Sequence, residues 1–342
     1  MSQRPDSASR LLSWLSKASR ETRDPNVVGV GIGYGLKDGA IDLERPYCAR
    51  FYVREKFSKR KAARQPLAVP YDLRIPGDYL SNVNASLDGL RRRLRTRWIE
   101  LPTDVHCVGD MAGSGGIVEL PGDPDVVTAG TIVRWQSAGE VHWGIVTVAH
   151  GFESRPANAA SSDVTISLVS GAAFVGRRIL NFNPVSLNID AALIEVPVER
   201  LMDVGLVSDA TPIGFGSPPV YSTMRPENFP TGTSLQADRT IPFTVVGPVT
   251  ELSIDKVGTV KHMVHILGPS QAFVPGTSGS LLRLLDANSN LVVPAAVQIG
   301  ATAPAYAHAY GQALETSLKR LRAALITAGT SAVGQVEIAG TF

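Results

Sequence analysis

The rhythm of apolar and polar positions changes twice along the chain. Residues Ala8 to Arg20 set Leu11, Leu12, Trp14 and Leu15 among lysine and arginine, which predicts a short amphipathic docking or packing helix ended before Pro25. Val27 to Tyr34 then reads VVGVGIGY, β-branched residues alternating with glycine, and predicts a strand; Ala49 to Arg54 predicts a second. A small α+β unit is the simplest construction from these pieces. Gly29, Gly31, Gly33 and Gly35 lack the GxGxxG spacing and no helical pattern follows at once. They are therefore read as a strand that admits close backbone approach rather than as a dinucleotide loop. Arg54 to Arg64 is basic and turn-like, and Leu87 to Trp98 predicts a helix with Leu87, Leu90 and Leu94 on one face and five arginines on the others.

From about Gly113 the texture becomes short apolar runs broken by Gly, Pro, Asn, Asp and Ser. Gly130 to Trp135, Trp143 to Ala149, Val164 to Val169, Ala191 to Val196, Phe243 to Val249 and Lys261 to Leu267 are strand candidates, at the spacing of an all-β sandwich or barrel. Gln312 to Ala328, with Leu314, Leu318, Leu321 and Leu325 at helical intervals, predicts a helix that closes this region. The expected division is a basic α+β region over residues 1–110 and a mainly β domain over 111–342.

Composition narrows the class. The 342 residues suffice for about two domains, and 44% hydrophobic with 19% charged residues exclude a disordered chain. Cys48 and Cys107 are too few for a disulfide framework, so reduced thiols and a cytoplasmic location are expected. The opening residues carry no apolar core of signal-peptide length, and no run approaches the ~20 apolar residues of a bilayer span, so no membrane association is expected. The net charge of +2 conceals an asymmetry, because residues 1–100 hold 20 Lys and Arg against 11 Asp and Glu. The remainder is net acidic, and an acidic partner for the first region is permitted but not required.

Three segments carry candidate chemistry. In VTVAHGF an apolar strand ends and delivers His150 between small neighbours that leave room for a base. In NIDAALIEV, Asp190 stands at the mouth of a strand, beside backbone that can fix its carboxylate. In VPGTSGSLL, Ser278 lies in a tight glycine turn that exposes its hydroxyl and gathers successive N–H groups. Each segment alone has a plain structural reading: a packed histidine, a turn-capping aspartate, an ordinary glycine loop. Their order, His150, Asp190, Ser278, leaves room for a β-barrel around the first pair and another before the serine.

With those segments the chain resembles the chymotrypsin-like (trypsin-like) serine peptidases over roughly Gly113 to Ala328. The resemblance implies a mainly β fold, a double β-barrel with a C-terminal helix, preceded here by the small α+β region. It implies a serine endopeptidase in which His150, Asp190 and Ser278 form a catalytic triad acting through an acyl-enzyme on protein or peptide substrates. The amides of Gly276 and Ser278 would form the oxyanion hole. Ala272 and Phe273, with Gln298, Ile299 and Gly300 of VQIGA, would line a substrate pocket suited to an uncharged, small or apolar side chain. NVVGVGIGYG, FYVREK and LPTDVHCVG are similar to the N-terminal extension of some bacterial intracellular members, which suggests a regulatory or docking role, restraint by this region or by a protein partner, and a setting in stress or defence. Thr277 stands where many secreted relatives carry an aspartate, and no IVGG-type sequence precedes Gly130, so activation by zymogen cleavage is not expected.

Other assignments are weaker. His106 and Cys107 are adjacent on a predicted strand and point to opposite faces, which argues against a cysteine nucleophile. His262 and His265 are three apart in VKHMVHIL and likewise face opposite ways, so a shared metal is not expected; one of them, or His308, is left to line a cleft. No CxxC, HExxH or P-loop spacing occurs, and neither a cofactor nor a metal is expected. The alternative to a peptidase is a protease-like binding module that recruits nucleic acid or an acidic protein through Arg91, Arg92, Arg93 and Arg95.

Overall fold

Alternation of Val28, Val30 and Ile32 with glycine produces strand β1 (Val27–Gly33), all but its first residue buried. The glycines meet the prediction of close approach: a Cβ at Gly31 would sit 2.6 Å from the carbonyl oxygen of Pro248, and one at Gly33 would sit 2.1 Å from that of Val246. Helix α1 (Ser7–Thr22) lays Leu11, Leu12 and Leu15 over this strand and the next, in a core shared with Val30, Ile32, Phe51 and Leu101. Each fully buried leucine contributes about 1.5–3 kcal/mol.

The computed structural model describes residues 7–22, 24–37, 40–42, 48–57, 72–76, 98–108, 111–113, 128–152, 162–168, 170–182, 188–208, 217–236, 239–254, 257–327 and 334–341. The first part adds β2 (Gly35–Lys37), β3 (Ala40–Asp42), β4 (Cys48–Val53), β5 (Asp72–Pro76), β6 (Trp98–Cys107) and β7 (Met111–Gly113). Next come β8 (Thr131–Ser137), β9 (Glu140–Thr147), β10 (Ser162–Ser167), β11 (Ala173–Phe182), β12 (Ala191–Glu195) and a short helix α2 (Val198–Asp203). The last part holds β13 (Thr231–Leu235), β14 (Thr240–Ile254), β15 (Gly258–Leu267), β16 (Leu281–Leu285), β17 (Val292–Thr302), β18 (His308–Ala313), helix α3 (Leu314–Thr327) and β19 (Glu337–Thr341). The molecule is thus mainly β, with an α+β beginning and a helix near its end, as the residue pattern predicted.

Two large sheets organise most of the strands, and β2 and β3 form a separate two-stranded sheet. One large sheet runs β10-β11-β12-β9-β8-β19. In the other, β13 pairs with both β14 and β16, so the order β13-β16-β17-β18-β15-β14 returns to its start; β1, β4, β6 and β5 then extend outward from β14. The N-terminal strands therefore continue the sheet of the later region through β1 and β14.

Three local differences from the sequence reading have simple causes. Gln312 and Ala313 end β18 before α3 starts, because their backbone continues the sheet register opposite Met263 and Ala296. Trp98 opens β6 rather than ending a helix; the predicted arginine helix up to residue 97 lies outside the described residues. Finally, α3 is not the last element: β19 returns to β8, with Arg134 and Glu337 paired at 3.0 Å. The short stretch EIAGT, interrupted by glycine, is too brief to register as a periodic strand. Among the described residues no helix is long and apolar enough to cross a membrane.

Candidate active site

Strand register explains why His150 and Asp190 meet. Thr147 of β9 opposes Ala192 of β12 in an antiparallel pair, and extending that register by two residues sets Ala149 opposite Asp190. The Asp190 carboxylate then holds the next turn of chain. Its Oδ1 accepts the backbone N–H groups of Ala149 at 2.7 Å and His150 at 2.8 Å, and its Oδ2 lies 2.5 Å from His150 Nδ1. Facing a carboxylate, Nδ1 carries the ring proton, which leaves Nε2 as the basic nitrogen. Asp190 is buried, so these charge-assisted bonds replace its water.

A residue of the other sheet completes the support. Gln312 on β18, fully buried, accepts the Asp190 N–H at 3.0 Å through Oε1. Its Nε2 donates to the carbonyl oxygens of Lys261 at 3.1 Å and Asn188 at 3.3 Å. Sequence reasoning placed Gln312 in a helix and missed this role; nothing in its immediate neighbours signals it.

Ser278 sits in the connection between β15 and β16, bracketed by Gly276 at φ +104° and Gly279 at φ +95°. These left-handed conformations make the turn sharp, and a Cβ at Gly279 would stand only 1.9 Å from the Thr128 carbonyl oxygen. Thr277 braces the loop from inside: its hydroxyl donates to the Val274 carbonyl at 2.9 Å and accepts Gln298 Nε2 at 2.6 Å. The Ser278 hydroxyl is buried and donates to the Ile299 carbonyl at 2.7 Å.

The segment entering β8 ties the two parts together. Thr128 N–H donates to the Ser278 carbonyl at 2.8 Å, while Thr128 Oγ1 donates to the Gly276 carbonyl at 3.0 Å. The Thr128 carbonyl accepts Thr147 Oγ1 at 2.6 Å, and Gly130 N–H donates to Val146 at 3.1 Å. The loop carrying Ser278 is thereby seated against the strand that ends at His150.

The expected pocket residues fare differently. Ala272 and Phe273 are buried in the core of the ring-forming sheet with Met224, Phe243 and Ile266. Gln298 is occupied by Thr277, and Ile299 supplies the carbonyl that holds Ser278. Gly300 opposes Tyr310 on one side and Gly113 of β7 on the other, so this edge of β17 already carries a strand. Asp104 and Cys107 are separately engaged, Asp104 with Arg50 at 3.2 Å and Cys107 Sγ with the Arg54 carbonyl at 3.3 Å, while the His106 ring packs edge-on against Tyr52. Arg91, Arg92, Arg93 and Arg95 lie outside the described residues.

No protein-family model and no curated protein matches the chain. Among solved structures, it is similar to Rv3671c from M. tuberculosis H37Rv in an inactive form, at 18% identity and a TM-score of 0.34 over 60% of this chain and 89% of that one. The active form of the Rv3671c protease gives 16% identity and 0.33, over 60% and 83%. A Glu endopeptidase in complex with MPD gives 13% and 0.31, over 64% and 98%. By their names these neighbours are a protease and an endopeptidase. Likeness of this degree carries no functional argument, and the chemistry rests on the residues described above.

Proposed function

We propose that the chain is a serine endopeptidase that cleaves peptide bonds through an acyl-enzyme, with Ser278 as nucleophile, His150 as general base and Asp190 as the group that orients and stabilises the imidazole. The observation that carries this reading is the grip of Asp190 on His150, with the ring held through Nδ1 and the adjoining backbone held by two N–H bonds. A serine hydroxyl is a poor nucleophile until a neighbouring base takes its proton. As Ser278 Oγ attacks the substrate carbonyl carbon, its proton passes to His150 Nε2, and Asp190 stabilises the imidazolium. The same proton then goes to the leaving amine as the carbon–nitrogen bond breaks. Water, deprotonated by His150, afterwards releases the acid and restores Ser278.

Gly276 and Ser278 are the amides assigned to the developing oxyanion, which the two left-handed glycine conformations would gather on one side of the turn. In the resting chain the Ser278 hydroxyl is committed to Ile299, so catalysis requires it to turn from that carbonyl toward His150.

Labelling with a fluorophosphonate tests the reading. The wild-type chain should be modified at Ser278, and Ser278→Ala and His150→Ala should not. A folded wild-type chain that stays unmodified, while a trypsin control reacts, overturns it.

A further inference from the structure

Three histidines from three strands, His106, His265 and His308, converge on one another. His265 of β15 and His308 of β18 are diagonal neighbours, since His265 opposes Tyr310 and Leu267 opposes His308. His106 comes from β6, which lies four places from β15 in the order β15-β14-β1-β4-β6. In a flat sheet four strand spacings amount to about 19 Å. Yet the His106 ring centroid is 5.1 Å from that of His265 and 4.6 Å from that of His308. The sheet has coiled back on itself, and its N-terminal extension faces the strands from which it grew.

The contacts among these rings select particular atoms. Tyr52 OH lies 3.1 Å from His265 Nδ1, which turns His265 Nε2 toward His308 Nδ1 at 3.0 Å. Tyr310 stacks on His265 at 4.7 Å. His106 Nε2 is buried and has no hydrogen-bond partner among the described residues. One donor atom from each of the three histidines lies within 4.8 Å of the other two. Burial holds His106 down at about 2 and His308 at about 4, and pushes His265 well below its ordinary value, so all three rings are neutral ligands near neutral pH. The charges facing them are Arg50, itself paired with Asp104, and Lys56.

We propose that His106, His265 and His308 form a three-histidine site for a zinc-class divalent transition-metal ion, which pins β6 to β15 and β18. Three neutral imidazoles are the donor set that such ions prefer, at metal–nitrogen distances of about 2.0–2.1 Å. A tetrahedral arrangement then needs nitrogens roughly 3.3 Å apart. The His265–His308 pair already approaches that spacing, and rotation of the partly exposed His106 and His308 rings closes the rest. Tyr52 serves as the outer partner that fixes the His265 ring, the usual companion of a metal-bound imidazole. A purely structural cluster of hydrogen-bonded histidines accounts for the His265–His308 pair but leaves His106 Nε2 unexplained. None of the three histidines is assigned a step in the chemistry of His150, Asp190 and Ser278, and the metal site does not depend on that function.

The test uses the full chain, stripped with a chelator and titrated with Zn²⁺, with bound metal measured after desalting and Co²⁺ as a spectroscopic probe. One equivalent of zinc should bind, Co²⁺ should give the intense visible bands of a tetrahedral site, and zinc should slow amide exchange in Trp98–Cys107. His106→Gln and His308→Gln should each weaken zinc by more than the ~10–100-fold expected for Tyr52→Phe, whereas His142→Gln, on the other sheet, should bind like wild type. Wild-type chain that takes up no stoichiometric zinc at micromolar free metal overturns the proposal whatever the variants do. So does an equivalent retained undiminished in both His106→Gln and His308→Gln.

Discussion

The hydroxyl of Thr147 donates to the carbonyl of Thr128 at 2.6 Å, three residues before His150, and Thr128 in turn donates to the carbonyl of Ser278. Both threonine groups are buried, so the strand that delivers the histidine and the loop that delivers the serine share one strut. Thr147→Val keeps the shape of the side chain but leaves the Thr128 carbonyl without that donor, a loss of about 1–3 kcal/mol. The expected outcome is a lower urea midpoint and slower fluorophosphonate labelling. A variant as stable and as reactive as wild type would show that the strut does not matter.

Asp190→Asn separates positioning from charge. The amide oxygen can still accept at one of the two positions, but the amide nitrogen cannot accept at the other, so either His150 Nδ1–H or the two backbone donors lose their acceptor. In serine triads generally, loss of this carboxylate lowers kcat by about 10⁴. A drop of that order in labelling rate at neutral pH is expected, with cooperative thermal unfolding retained. Labelling within a few fold of wild type would remove Asp190 from the mechanism.

Strand β7 lies on the edge of β17 at Gly300–Thr302, directly after the residue whose carbonyl holds the Ser278 hydroxyl. An incoming peptide that pairs with this edge would need the same main-chain groups. Proline donates no N–H, so Met111→Pro combined with Gly113→Pro weakens the β7 pairing without touching Ser278. Labelling of Ser278 should become faster, as measured by mass spectrometry over time. A rate unchanged or reduced in a variant that still unfolds cooperatively would sink the idea that β7 restrains the site.

What was legible in the sequence follows the range of each signal. Periodicity placed α1, β1, β4 and most of β8 to β15, because alternation and helical spacing are local properties. The His150–Asp190 meeting was also accessible, since each segment ends or begins an apolar strand. Gln312, Thr128 and Thr147 were not: each acts through hydrogen bonds to chain segments 19 to 150 residues away, and polar residues in such roles look like any others. The three histidines were hidden for another reason. The expectation that His262 and His265 share no metal rested on strict alternation, whereas His262 has a left-handed backbone and meets Tyr221 and Thr316; only the coiling of the sheet brings His106 over His265 and His308.

His262 offers a pH test with a defined sign. Its ring stacks on Tyr221 at a centroid distance of 4.2 Å, and Nδ1 lies 3.1 Å from Thr316 Oγ1. Burial lowers its pKa from the ordinary 6.5; Glu315 opposes the shift, while Lys261, Arg320 and Lys319 add to it. Below about pH 6.5 the unfolded chain therefore binds a proton at this position more readily than the folded one. Stability is intact above that value and is lost as pH falls through it toward the lowered folded value. His262→Gln cannot titrate, so between about pH 7.5 and pH 5 its urea midpoint should fall less than that of wild type. The difference between the two curves isolates this group from every other histidine. Curves that decline in parallel would show that protonation of His262 is not linked to folding.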